Sequence, residues 1–148
     1  MVSAKNSLFR GFSVFRGGTA FDKKRPKMKD IETREDIELL LEEFYKIAIT
    51  DSEIGHHFDG LDLAAHMPVI VDFWEKVLFG RQVYFGNPLF VHQKLHEKNP
   101  LTMEHFQRWI AIFSETIDAN FAGEMAENAK LRAKMIAHSL NQRLNEDL

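Results

Sequence analysis

Residues 102–117, TMEHFQRWIAIFSETI, decide the fold class. Phe106, Trp109, Ile110, Phe113 and Ile117 recur at the three- and four-residue steps that put side chains on one face of an α-helix. Thr102 stands where an N-cap hydroxyl accepts an otherwise unpaired backbone N–H. The helix should end near Gly123. A last helix, from about Glu124 to Leu144, should bury Met125, Leu131, Met135, Ile136 and Leu140.

Upstream, Gly86, Pro88 and Pro100 leave room between Arg81 and Pro100 for one short, loosely held helix carrying His92 and His96. Before it, His66, Ile70, Phe73 and Val77 follow one another at spacings of four, three and four, with Trp74 alongside. Pro68 lacks an amide donor, so that helix should begin only about one turn earlier, and Gly80 should stop it. Gly55 and Gly60 around Phe58 make a tight corner. In the first long helix, Ile37, Leu40, Leu41, Phe44 and Ile47 form the apolar face, Thr33 and Asp36 form the cap, and the end falls near Ile49 to Asp51. No alternating run is long enough for a convincing strand, so the chain reads as all-α.

Composition narrows the chemistry. The chain has 148 residues, 45% of them hydrophobic, enough for one domain with a core. Thirteen Phe against two Tyr suggest that something large and apolar is being lined. The absence of cysteine excludes disulfides, thiolate zinc sites, iron–sulfur clusters and cysteine nucleophiles. Residues 1–27 hold seven Lys or Arg and one acid, leaving twelve basic and twenty-one acidic residues beyond them. An acidic body argues against nucleic acid, whose recognition rests on positive charge. Apolar runs such as Met67 to Phe73 fall far short of the roughly 20 residues of a membrane span. There is no glycine-rich phosphate loop and no nucleophile elbow. The segment 1–27 reads as a disordered basic extension, upstream of a natural start at Met28 or, less simply, an organelle-targeting peptide; residues 28–148 form the domain.

Phe44-Tyr45, His66-x3-Ile70-x2-Phe73-Trp74, and His96 followed by His105-Phe106-x2-Trp109 resemble the group III truncated haemoglobins over roughly residues 30 to 142. The resemblance implies a shortened globin, a two-over-two helical sandwich around haem b. It also implies a proximal His in the short helix before residue 102. His96 lies ten residues before Phe106 and thirteen before Trp109, the spacing of related truncated globins, and is the expected iron ligand; His92, one helical turn earlier, is the alternative. Tyr45, His66 and Trp109 are the expected ligand-stabilising groups on the distal side. Phe44, Phe58, Ile70, Phe73 and Phe106 would contact the haem.

The function implied is binding of oxygen or another small diatomic ligand at ferrous iron in the cytoplasm. Peroxidase-like or nitric-oxide-detoxifying activity is also implied, with peroxide as a further ligand and a reductase as partner. The rival reading is a cofactor-free helical interaction module. Two other metal readings are weak. His92 and His96 could pair on zinc but lack a third ligand, and Glu53-x-x-His56 is only half of a di-iron pattern. His56, His57, His105 and His138 read as surface or structural residues.

Overall fold

A computed structural model describes residues 28–146, and the expected basic extension, residues 1–27, lies outside them. The described residues form five α-helices and no strand: α1 Arg34–Ala48, α2 Leu63–Phe79, α3 Pro88–Lys98, α4 Met103–Asn120 and α5 Glu124–Asn145. A 3-10 turn, Gly55–Phe58, makes the corner between α1 and α2. α1 packs on α2 and α4, α5 packs on α4 and α2, and α3 touches α5. Two helix pairs therefore face each other, with α3 as a thin flap at one side.

The helix ends are set by local chemistry. Thr33 and Asp36 form a reciprocal capping box: Asp36 N–H donates to Thr33 Oγ1 at 3.2 Å and Thr33 N–H to Asp36 Oδ2 at 3.1 Å. Thr102 caps α4 with His105 as its partner, and Asn87 caps α3 with Pro88 in the first turn. Gly80 ends α2 in the left-handed conformation, φ 71°, that a Cβ would penalise.

Three expected burial patterns are corrected. In α5 the buried stripe is Ala126, Ala129, Ala133 and Ala137, leading to Leu140, whereas Leu131 and Met135 are 55% and 52% exposed. Small side chains let α5 lie close to α4, and alanine carries too weak a hydrophobic signal to mark that face. In α1, Ala48 takes the inward place expected of Ile47, which is exposed. In α2, Val71, Trp74 and Leu78 face the solid core, while the expected core stripe, His66, Ile70 and Phe73, is only half-buried because it faces a hollow.

Polar ties lock the pairs together. The Asp30 carboxylate accepts from Met125 N–H and Ala126 N–H, each at 2.8 Å, and so caps α5 from 95 residues away. Gly123, at φ 147°, leaves the space that Asp30 fills; a Cβ there would collide with it. Glu75, buried in α2, is held by Arg34 at 2.6 Å and Arg81 at 2.7 Å. Replacing Asp30 with Ala should lower the unfolding free energy by about 1–2 kcal/mol, the usual cost of a lost cap. An unchanged urea midpoint would remove the carboxylate from this role.

Candidate functional site

Between the helix pairs lies a cavity of about 410 Å³, to which all five helices contribute. Its size and its largely apolar wall suit a small organic ligand or cofactor. One side is an aromatic wall. Trp109 stacks on Phe113 at 5.1 Å, Phe113 stacks on Trp74 at 4.9 Å, and Phe44 meets Trp109 and Phe113 edge-on. These rings fix where the solid core stops and the hollow begins.

Tyr45, on α1, and His66, on the first turns of α2, meet at the cavity: Tyr45 Oη and His66 Nε2 share a hydrogen bond of 2.8 Å. Phe58, delivered by the corner, packs edge-on against the Tyr45 ring at 5.6 Å. Asp51 secures that corner by accepting from Glu53 N–H and Ile54 N–H, and from Arg108 of α4 at 2.7 Å. Burial pushes the Tyr45 phenol far above its ordinary pKa, so it keeps its proton. Burial holds the His66 imidazole low, and a charge on His92 would push it lower still. The two histidines thus sense each other.

His92 lines the cavity from α3. Its Nδ1 lies 2.7 Å from Pro88 O, one turn back on the same helix. A carbonyl only accepts, so Nδ1 carries the hydrogen and Nε2 keeps its lone pair. Burial lowers the pKa of this ring too, against the opposing pull of the Pro88 carbonyl, so the neutral form is favoured. A neutral imidazole oriented through its second nitrogen is the arrangement a metal ligand needs.

The two candidate ligands have different surroundings. His96 is absent from the cavity wall, and its Nδ1 accepts from Leu101 N–H at 2.9 Å, steadying the turn into α4. His96 is thus engaged with the turn and stands off the cavity wall, whereas His92 is on it. Every other expected site residue is on the wall: Phe44, Tyr45, Phe58, His66, Ile70, Phe73, Phe106 and Trp109. Sequence reasoning missed Tyr84, which meets Phe73 edge-on at 5.2 Å from a loop with no periodicity to reveal it. It also missed His57 and His105, treated as peripheral, and Ile136 and Ala137 of α5.

An apolar hollow whose wall carries a neutral imidazole from α3, a phenol from α1, an indole from α4 and further imidazoles from the corner, α2 and α4 fits a haem. Two helix pairs closing on such a hollow define a globin. The family model for bacterial-like globins matches residues 29–143. A Campylobacter jejuni protein, group 3 truncated hemoglobin ctb, is 31% identical over 110 residues, covering 70% of this chain and 84% of that one. The crystal structure of the group III truncated hemoglobin from Campylobacter jejuni superposes with a TM-score of 0.72 at 30% identity, covering 80% of this chain and 97% of that one. The chain belongs to the bacterial-like globins, as a truncated haemoglobin of group III. It is accordingly a haem-binding, ligand-binding protein, and the interaction-module reading gives way. Among the described residues no helix is long and apolar enough to cross a membrane.

The low imidazole values have a consequence for stability. His57, His66 and His92 all sit below the unfolded value near 6.5, chiefly through burial. As pH falls through that value the unfolded chain takes up these protons first, so native stability is present above about pH 6.5 and declines below it. Urea midpoints at pH 7.5 and 5.5 should therefore differ, with the acid one lower. Equal midpoints would show that these rings are not buried neutral.

Proposed function

We propose that the chain holds haem b, whose iron His92 would ligate, and binds oxygen or another small diatomic gas, with Tyr45, His66 and Trp109 as the polar groups that would stabilise it. The observation that carries this reading is the His92 Nδ1–H bond to Pro88 O, which presents Nε2 to the cavity as a lone pair. Bound haem would supply a ferrous iron with an open position for a diatomic ligand. Phe44, Phe58, Ile70, Phe73 and Phe106 would exclude water from the ring faces. With His66 Nε2 carrying the hydrogen and donating to the phenol oxygen at 2.8 Å, the Tyr45 hydroxyl is left to donate to a ligand that gains negative charge.

A peroxidase-like or nitric-oxide-oxidising activity is the second reading, favoured by the Tyr45–His66 pair, which can receive or deliver a proton at one spot. Either turnover requires an external electron donor such as a reductase. The cytoplasmic setting belongs to the same proposal.

Absorption spectra of the ferric, ferrous and carbonmonoxy forms test the assignment. His92→Gly should lose tight haem binding and His96→Gly should keep it; the reverse pattern would return the ligand to His96. Tyr45→Phe or Trp109→Phe should change the oxygen dissociation rate by roughly tenfold, equivalent to ~1.4 kcal/mol. Release that stays the same in both variants would remove these groups from ligand stabilisation.

A further inference from the structure

The 3-10 corner and the start of α4 bring three imidazoles together. His56, His57 and His105 each offer a nitrogen, and these atoms lie within 4.8 Å of one another. The ring centroids are 4.0 Å apart for His56 and His57, 4.6 Å for His57 and His105, and 5.6 Å for His56 and His105. His57 is only 8% exposed, and its Nδ1 is buried with no hydrogen-bond partner. Its Nε2 lies 3.3 Å from Pro100 O, which only accepts, so Nε2 carries the hydrogen and the orphaned Nδ1 is a bare lone pair. An unused lone pair on a ring that packs against two other imidazoles can take an electron-pair acceptor.

We propose that His56, His57 and His105 form a second metal site, separate from the haem ligand, for a borderline divalent ion of the zinc class. Imidazole donors without thiolate suit Zn²⁺, whereas Ca²⁺ and Mg²⁺ require oxygen ligands. Three histidines leave a fourth, tetrahedral position for water. The Pro100 carbonyl already fixes the His57 tautomer, as second-sphere carbonyls do in zinc sites. Burial, with His56 and His105 alongside, holds His57 below its ordinary pKa, so the ring is in the neutral form that binds metal.

Two adjustments are required. The donor atoms must close to roughly 3.3 Å of one another around an ion with ~2.0–2.1 Å bonds to nitrogen. The exposed His56 is free to make that movement. His105 Nδ1 accepts from Thr102 N–H at 3.1 Å, and joining the ion displaces that bond, while Thr102 Oγ1 still caps His105 N–H.

The test loads the full chain with haem, adds Zn²⁺, and reads retained zinc by metal analysis and affinity by competition with a chromophoric chelator. One zinc per chain is expected, with affinity falling at least tenfold in His56→Ala and His57→Gln and unchanged in His138→Ala. His56 is at the surface, so His56→Ala keeps the test open if the buried replacement fails to fold. No retained zinc, or zinc held equally by both cluster variants, would overturn the proposal. Haem content is read separately from the Soret band, so failure of the zinc site and failure of the haem assignment remain distinguishable.

Discussion

The stack of Trp74, Phe113 and Trp109, with Phe44 set edge-on against it, is the partition on which the rest of the molecule depends. On one side α1, α2, α4 and α5 pack to a solid core; on the other the same helices stop short of each other. Flat rings suit this task because each presents one face to the core and another to the hollow. Aliphatic side chains would fold into the gap and fill it. Large rigid rings with few rotamers hold their positions, which keeps the cavity's shape in a protein whose interior is otherwise close-packed.

Across that partition, polarity is rationed. Most of the wall is Phe, Leu, Ile, Val and Trp, and two of its polar contacts are fixed: Tyr45 with His66, and His92 with Pro88. In a low-dielectric hollow an unpaired polar group is costly, so both bonds set orientation, and the Pro88 carbonyl also sets the His92 tautomer. α3, with no fully buried residue, is held by little else. The helix that delivers His92 is therefore the least anchored of the five, and its position is set by the cap at Asn87 and its contact with α5.

Long-range ties supply the rigidity that α3 lacks. Asp30 reaches the start of α5, Glu75 gathers Arg34 and Arg81, and Asp51 joins the corner to Arg108 of α4. Burial opposes the charge on Asp51, but Arg108 and two backbone donors outweigh it and hold the carboxyl below its ordinary value. Arg81 lies six residues from Glu75, and the other partners are far apart in sequence. The corner so fixed carries both Phe58 and the His56–His57 pair, so the haem cavity and the imidazole cluster share one support.

The sequence by itself determined the helices, their caps and most of the wall. Those features follow from period and from short-range hydrogen bonds: Thr33 to Asp36, Thr102 to His105, and the His66, Ile70, Phe73 stripe. It also pointed to Tyr45 and Trp109, through their place in a family pattern. Only the tertiary structure showed that His92 lines the cavity and His96 does not. The two lie on nearly the same face of one short helix, one turn apart, and spacing to α4 cannot weigh a Pro88 carbonyl against a Leu101 amide. Only the tertiary structure, likewise, showed that alanine rather than Leu131 and Met135 forms the buried face of α5, and that His105 meets the His56–His57 pair. Periodicity reports which way a side chain leaves its own helix. What it meets there is fixed by how closely helices approach, and that depends on chain segments far apart in sequence.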